Sequence, residues 1–600
     1  MKKIFLAIII AAVMGCCSFA GCSGEGKTDS AGSSPIKEGD MEKLRQCISN
    51  ENLITGEPVN LANSPLTVDQ KTTVKAPSNI LKNVTTGVTD ETKTISRNAE
   101  YGGGQYISKL FTEGLSRAAY GSEFSAFQNY IVEKGCTVKT LNVLAKAVFT
   151  SEAFNAFDLN RYETAICLYR AILSRDPSEE EIMKVKLGKI SEAIDEITSG
   201  NEFNELLPAI QFGPYYWRGS SKTFWSGDEV YTSADFNRLV ENASATKEVA
   251  LPQGALVLVN GTLDIPSGYT VKTAGNPNHY VRFARIIRNN GSVTTMRVDS
   301  ETTLQNIFVD GNRSEFDDKN QGGFNLEVTG KNVVIWGCRV GEHTGPVHSN
   351  PGSGRIYFGR NLVTQYSTGH TNGWADGIDM YGYNSLIEYN HVVDPTDGGI
   401  VIFRSQKDGA NVTQNTIVRY NLLCNTGNSA YCGIDNEGVD MDGNGVADFS
   451  GTVIYENAIY TSYVAHMHMC ITLSARPWTE NYKRVANVSV YNNYTPEGCF
   501  VNTAGGLIVE GVINGTARGN QLVLHLGDWS ANFMGKRAYS LNTESCEGGE
   551  YQSGHTDWPA TTFISPYMDI EKEESFEITV AYIYEDFRDI PAEKFVWSIS

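Results

Sequence analysis

The chain has 600 residues, 41% of them apolar, with 58 glycines, 29 tyrosines and a formal net charge of -20 at pH 7. This length exceeds one ordinary hydrophobic core, so it predicts two or three folded units, unless a repeat lets a single unit grow by stacking. The negative charge argues against a nucleic-acid partner, which would require a basic surface. It favours neutral glycans, or calcium-assisted binding, over a bare acidic polymer.

The N-terminus predicts export. Lys2 and Lys3 precede an apolar run, Ile4–Met14, that is too short for a spanning helix. The residues before Cys16 and Cys22 both resemble the lipobox of bacterial lipoproteins, and we favour Cys22 because a polar segment follows it directly. Residues 1–21 are therefore predicted to be a lipoprotein signal peptide, with Cys22 lipidated on the extracellular side of the bacterial cytoplasmic membrane. An ordinary secreted protein is the alternative.

Residues 22–100 are rich in Ser, Thr, Lys, Asn and Gly and poor in aromatics. Such a composition cannot bury enough apolar surface to offset chain ordering, so we predict a flexible tether with one short helix near Met41. Nine of the 12 cysteines lie beyond the signal, scattered without CxxC spacing, so no zinc site is predicted.

Residues 101–200 change to a helical period and are predicted to form a small all-α domain. Ile107, Leu110, Phe111 and Leu115 share one face, and Ser178 begins a capping box. The segments Lys109–Arg117, Val148–Phe154 and Leu168–Arg175 resemble a helical domain of unknown function related to phycobilisome linkers. This resemblance implies no catalytic residue; it implies spacing or contact with other surface proteins. An unrelated helical bundle is the alternative.

Residues 201–530 consist of short β-branched runs that end in Asn or Gly. Asn390, Asn421, Asn457 and Asn492 follow such runs at steps of 31, 36 and 35 residues, which suits one coil plus a loop per step. We expect these asparagines to hold left-handed corners while their amides stack from coil to coil. The opening segment, Ala255–Val271, resembles pectin-lyase-like proteins.

The predicted fold is therefore mainly β, a right-handed single-stranded parallel β-helix preceded by the all-α domain. Its coils run from about Leu256 to Leu522. Residues 531–600 lose the repeat and are predicted to form a C-terminal β cap, with Phe576–Val580 as the clearest strand.

Carboxylates concentrate on a few successive coils. Aligning the Gly-Ile pairs of these coils places Asp376 or Asp379 beside Asp397, with Asp435 one coil further. The predicted catalytic residues are Asp376, Asp379, Asp397 and Arg404. The predicted substrate-binding residues are His370, Trp374, Asp435, Glu437 and His466.

This cluster is similar to the polygalacturonase arrangement. Asn372 to Asp376 corresponds to the first element with altered spacing, Asp397 stands where a paired Asp would be, and Arg404 is a loose analogue of the basic element. The Gly-His-Gly and Arg-x-Lys elements are absent, so the substrate is not carried over. What remains is that two carboxylates with room for a water can act as acid and base on a glycosidic bond. The alternative is that these residues cap turns or bind calcium structurally.

A second acidic motif predicts a calcium site. Oxygen ligands stand at positions 1, 3, 5 and 9 with Gly at 6, and position 12 is Gly451 instead of the usual Glu, so affinity should be modest. The predicted ligands are Asp440, Asp442, Asn444 and Asp448.

The leading hypothesis is a surface-anchored glycoside hydrolase acting on a polysaccharide. A polysaccharide lyase would need a base, for which His370, His391, Arg404, Lys407 and Lys483 are candidates. A non-catalytic glycan-binding protein or adhesin is the other alternative. His343 and His348 are predicted to be loop residues. Aromatic side chains that could stack on sugars are Trp336, Trp374, Tyr381, Tyr383, Tyr431, Tyr463 and Trp478.

Overall fold

The structure is a computed structural model, and the chain divides into two units, Met1–Pro35 and Ile36–Ser600. All that follows concerns the second unit. The structure describes residues 36–37, 39–61, 66, 102–212, 218, 229–316, 323–343, 345–366, 375–404, 415–427, 429–438, 446–474, 484–510, 512–513, 516–518, 520, 522–526, 537–542, 578–584 and 594–599. No helix within these ranges combines the length and the apolar character needed to cross a membrane.

Most of the helices precede the strands in the described chain. The α-helices are Asp40–Cys47, Gly104–Leu115, Gly121–Lys134, Val138–Phe149, Glu152–Asn155, Arg161–Leu173, Glu179–Leu187, Ile190–Ser199, Asn201–Phe212 and Ser233–Asn242, and the 3-10 turns are Tyr280–Arg282 and Arg313–Glu315. Side-chain caps set several starts. The predicted capping box at Ser178 is present, because its hydroxyl accepts from the Glu181 N–H while Glu181 accepts from the Ser178 N–H.

The strands form three long sheets and one short one. Sheet A contains Val230–Thr232, Leu256–Val259, Ala284–Arg288, Ile307–Asp310, Arg339–Gly341, Leu362–Thr364, His391–Val393, Leu422–Asn425 and Ala458–Thr461. Sheet B contains Glu248–Leu251, Thr270–Thr273, Thr303–Gln305, Val334–Trp336, Tyr357–Gly359, Leu386–Glu388, Ile417–Arg419, Val453–Tyr455, Ser489–Tyr491 and Thr516–Arg518.

Sheet C contains Leu263–Ile265, Met296–Val298, Leu326–Val328, Val347–Ser349, Ile378–Met380, Gly398–Arg404, Ser429–Gly438, His466–Ser474, Val501–Glu510, Val523–Leu526, Arg537–Asn542, Ile578–Tyr584 and Lys594–Ile599. The short sheet contains Val446–Asp448, Arg484–Ala486 and Val512–Ile513. Described strand pairs are parallel, apart from the antiparallel pair Ile578–Tyr584 with Lys594–Ile599.

Along most of the β-helix, a coil contributes one strand to each long sheet. Thr303–Gln305 lies in sheet B, Ile307–Asp310 in sheet A and Leu326–Val328 in sheet C, and the next coil pairs with all three in parallel. Alternate side chains fill one continuous apolar core inside the coils. The predicted fold, a mainly-β parallel β-helix after an α domain, is confirmed.

Buried asparagines stack along the corner between sheets B and A. The Asn421 amide donates to Asn457 Oδ1 at 2.9 Å, and its own Oδ1 accepts from the Asn390 amide at 2.9 Å. The ladder continues at Asn493 instead of the predicted Asn492. The left-handed conformation belongs to the residue before each ladder position, for example Tyr389 with φ 57°. The expectation that the stacking asparagines themselves are left-handed is wrong, because the bend precedes them.

The helical domain packs on sheet A. Apolar side chains of the helices share one core cluster with sheet A residues such as Leu362, Val393 and Tyr460. Gly104 has no room for a Cβ, which would lie 2.3 Å from the Ser462 Cβ. Buried polar bonds join the two parts, including Arg339 to Glu113 at 2.8 Å and Gln105 to Asp394 at 2.7 Å.

Residues 36–61 run beside both parts. The helix Asp40–Cys47 lies where a short helix was expected near Met41, and Leu44 packs in the core of the helical domain. Leu61 packs with Trp336 and Tyr357 of sheet B. Sheets A and B are therefore both contacted by the N-terminal part of the chain.

Candidate functional site

Sheet C carries a repeated triplet in which one residue points outward between two that point into the core. Ile378 and Met380 flank Asp379 in this way, as Ile400 and Ile402 flank Val401. Neighbouring rungs of such a row lie about 4.8 Å apart. The register gives one outward row, which we call the acidic row: Asp264, Arg297, Glu327, His348, Asp379, Val401, Asp435 and Thr472.

The first rungs of the acidic row form an ion-pair ladder. Arg297 donates to Glu327 at 2.8 Å and to Asp264 at 3.1 Å. Asn350 donates to the second oxygen of Glu327 at 2.9 Å. The guanidinium is thus engaged by two carboxylates, so the one cation of this end of the row is already paired and the three side chains together carry a net negative charge.

Asp379 lies beside a neutral imidazole. His348 Nδ1 stands 3.5 Å from Asp379 Oδ2, and burial lowers the pKa of His348 to about 4. The imidazole is therefore uncharged near neutral pH, so the contact is not an ion pair there. Asp379 as a whole is 8% exposed, which is a low value for an outward carboxylate.

Aromatic rings flank Asp379 and form what we call the aromatic strip: Phe324, His348, Tyr381 and Phe403. Phe324 stacks on His348 with ring centroids 3.9 Å apart, and Tyr381 stacks on Phe403 at 4.6 Å. His348 and Tyr381 are 5.4 Å apart and link the two pairs. Outward positions two residues apart on a strand lie about 7 Å from each other, which places Tyr381 next to Asp379.

Asp435 stands two rungs beyond Asp379, with Val401 between them. It is 2% exposed, and the Thr472 hydroxyl on the next rung donates to its Oδ1. Glu437 is in register with Phe403 and with Ser474. The register therefore puts Glu437 two residues beyond Asp435 on the same strand, level with the aromatic strip.

Asp376 and Asp397 lie on adjacent rungs, before the triplets begin. Asp376 Oδ1 accepts from the Gly398 N–H at 2.7 Å, and this bond links the coil of Asp376 to the next coil. The Asp397 N–H donates to the Ala375 carbonyl, and its own carbonyl accepts from the Tyr431 N–H. The alignment of Gly-Ile pairs thus brings Asp376 beside Asp397, whereas the register neighbour of Asp379 is Val401.

The structure describes some of the remaining predicted site residues and not others. His466 is 5% exposed at the start of its strand, with its ring 4.8 Å from that of His468. Burial lowers the pKa of His468 to about 4. Arg404 ends its strand, and its side chain is not described. His370, Trp374, Asp440, Asp442, Asn444 and Cys22 lie outside the described residues.

Asp448 is the one predicted calcium ligand that the structure describes. It lies on the short sheet, where its Oδ1 accepts from the Ser450 hydroxyl at 2.7 Å and from the Asn487 amide at 2.7 Å. Within the described ranges no group of three His, Cys, Asp or Glu residues is placed to hold a metal ion. The calcium site stays a prediction.

Two histidines differ from expectation. His348, predicted to be a loop residue, lies on a strand of the acidic row, and the triplet Val-His-Ser is the sequence signal that could have placed it. His391, named as a candidate base for a lyase, lies on sheet A, where its Nδ1 accepts from the Ala118 N–H at 2.9 Å. Sheet A is the side covered by helices, so His391 cannot serve sheet C.

Comparisons with known proteins give weak likenesses. No family model and no curated protein matches the sequence, so the resemblance of the helical segment to phycobilisome linker domains stays a prediction. Among solved structures, an alginate lyase from a Paenibacillus species is 12% identical over 52% of this chain and 93% of its own, with a TM-score of 0.26. An endo-xylogalacturonan hydrolase from Aspergillus tubingensis is 11% identical over 52% and 91%, with a TM-score of 0.31.

A lacto-N-biosidase from Eubacterium ramulus is 11% identical over 72% of this chain and 88% of its own, with a TM-score of 0.26. At such scores the fold is taken from the strand register of this chain, and no site or activity is carried over from these proteins.

Proposed function

We propose that the acidic row between Asp379 and Asp435 is the active site of a glycoside hydrolase. The observation that carries the proposal is the register, which sets the two carboxylates on one outward row with only Val401 between them. Two rungs separate the two backbones by roughly 9.6 Å. This spacing is close to the upper end, about 9.5 Å, of the carboxyl separations in inverting glycosidases, which leave room for a water between the acid and the base.

The surroundings suit a sugar. The aromatic strip beside Asp379 offers an apolar surface to the C–H face of a pyranose ring, with polar groups next to it to fix orientation. Both carboxylates are nearly buried, so their interactions with a bound substrate act in a water-poor environment.

The charges favour hydrolysis over β-elimination. A lyase must neutralise a uronate carboxylate, and along the acidic row the sole cation is Arg297, already paired with Asp264 and Glu327. Two carboxylates at the reaction centre would also repel an anionic sugar. The substrate class is therefore a neutral glycan.

The proposal also includes a cellular location, the cell surface, and a bound calcium ion. The N-terminal signal supports attachment of Cys22 to lipid, which displays the enzyme at the cell surface, and the ligand spacing from Asp440 to Asp448 supports a modest calcium site. Fatty-acid labelling that is lost in Cys22→Ala tests the anchor. Isothermal titration of the chelator-treated protein with calcium tests the ion.

The activity itself is tested on a panel of neutral and acidic polysaccharides and oligosaccharides, scoring reducing ends and unsaturated products separately. We expect new reducing ends from a neutral glycan, no unsaturated product, and an inverted anomer as the first product by proton NMR. Unsaturated products would replace the hydrolase with a lyase. Binding without cleavage of any substrate would favour a non-catalytic glycan-binding protein.

A further inference from the structure

A cavity of about 740 Å³ lies at the corner between sheets B and A, where residues 50–55 cross the coils. None of the acidic row lines it. Its size falls within the range of small-ligand pockets in proteins. Glu51, Tyr120, Arg360, Tyr389, Tyr420 and Glu456 are among its lining residues.

The wall of this cavity is built from residues in an unfavourable backbone conformation. Arg360, Tyr389, Tyr420 and Glu456 each precede a ladder asparagine, with φ of 56°, 57°, 56° and 52°. Left-handed backbone disfavours large side chains and suits Asn or Gly, and the next rung indeed has Asn492 there, with φ 55°. Large side chains also adopt this conformation away from the cavity, at Glu301, Glu342 and Arg355, so these corners accept Asn but do not require it.

These side chains form a platform. Tyr389 and Tyr420 stack with ring centroids 5.1 Å apart, and the Arg360 guanidinium lies 4.5 Å from the centre of the Tyr389 ring. Tyr389 is 36% exposed and Tyr494, also on the wall, is 38% exposed. Exposed tyrosine rings offer an apolar face to a sugar ring, and a polar group placed beside them can fix its orientation.

The charge of the lining selects a neutral ligand. Arg360 is one cation, whereas Glu51 and Glu456 are two carboxylates. His391 adds no charge near neutral pH, because burial lowers its pKa to about 3 and its Nδ1 accepts from the Ala118 N–H. The lining therefore carries a net negative charge and would repel a uronate.

We propose that this cavity is a second saccharide-binding site, which takes a short neutral oligosaccharide without cleaving it. It shares no residue with the acidic row, so it stands whether or not sheet C is catalytic. A second site of this kind holds a glycan chain on the protein and raises the local concentration of further segments.

The test uses Tyr389→Asn in the full chain, because Asn suits the left-handed backbone and the variant is expected to fold. Isothermal titration with neutral hexasaccharides of glucose, xylose, galactose and N-acetylglucosamine, and with hexagalacturonate, is run on wild type, Tyr389→Asn and Tyr231→Asn. Tyr231 is a half-buried tyrosine of the same β-helix outside the cavity.

We expect at least one neutral hexasaccharide to bind wild type and Tyr231→Asn alike, and to bind Tyr389→Asn at least tenfold more weakly. The midpoint of thermal unfolding of Tyr389→Asn should stay equal or rise. The proposal is overturned if no neutral hexasaccharide binds wild type, if Tyr389→Asn binds as wild type does, or if only hexagalacturonate binds.

Discussion

Two buried asparagines differ in whether their side-chain amides are hydrogen-bonded. Asn421 is 1% exposed, and its amide takes part in bonds to Ile387, Asn390 and Asn457. Asn436 is also fully buried, inside the coils between Ile402 and Leu473. In the part of the chain that the structure describes, neither polar atom of its side chain makes a hydrogen bond.

The contrast predicts opposite effects of the same substitution. Asn436→Leu removes an unsatisfied polar group and should raise the free energy of unfolding by about 1–3 kcal/mol, whereas Asn421→Leu strands its partners and should lower it by a similar amount. Urea unfolding followed by circular dichroism measures both. Equal destabilisation by the two variants would show that Asn436 is hydrogen-bonded in solution.

At the scale of strands, the sequence predicted the coils because alternation and Asn-marked corners are local. Asn492 and Asn493 are adjacent and equivalent in sequence, so the pattern could not show which of them stacks, and the prediction of Asn492 was wrong. His348 was missed because its triplet ends in Ser349, which breaks the apolar pattern although Ser349 is fully buried. The Gly-Ile pairs mark the register, and from them Asp379 was predicted as catalytic and Asp435 as substrate-binding.

Those glycines are required by close rung packing. A Cβ on Gly399 would lie 2.5 Å from the Gly433 carbonyl oxygen and 2.8 Å from Leu423, whereas a Cβ on Gly261 would meet nothing within 4 Å. We expect Gly399→Ala to lower the free energy of unfolding by about 1–3 kcal/mol through overpacking, and Gly261→Ala to change it by less than about 0.5 kcal/mol. Thermal or urea unfolding compares them. Equal effects of the two substitutions on stability would contradict the close approach of Gly399 to Gly433.

At the scale of the molecule, the helical domain and the β-helix share a buried interface. Glu113 is 1% exposed and lies 226 residues before Arg339 in the chain, so no local pattern could predict their pairing. Burial acts to raise the pKa of Glu113, but Arg339, with Arg170 and the Tyr280 hydroxyl, holds the pKa below its usual value. The tether prediction considered composition alone and could not anticipate that Leu44 and Leu61 pack.

Breaking this pair tests whether the two parts unfold together. Arg339→Met leaves a buried carboxylate without its cation and should lower the free energy of unfolding by about 3–5 kcal/mol. Arg297→Met removes a pair whose guanidinium is 42% exposed, so about 0–1 kcal/mol is expected. Calorimetry should show one transition in each variant. Two separate transitions in the wild type would contradict a shared core.

The central claim is that Asp379 and Asp435 carry out acid and base catalysis on sheet C. The most direct measurement is kcat/KM of Asp379→Asn and Asp435→Asn on the best substrate of the panel, with Asp264→Asn as the control, because Asp264 stands on the same row four rungs from Asp379. The account predicts losses of about 10²–10⁴-fold for the two site variants and little change for the control. Wild-type kcat/KM in either site variant would contradict it.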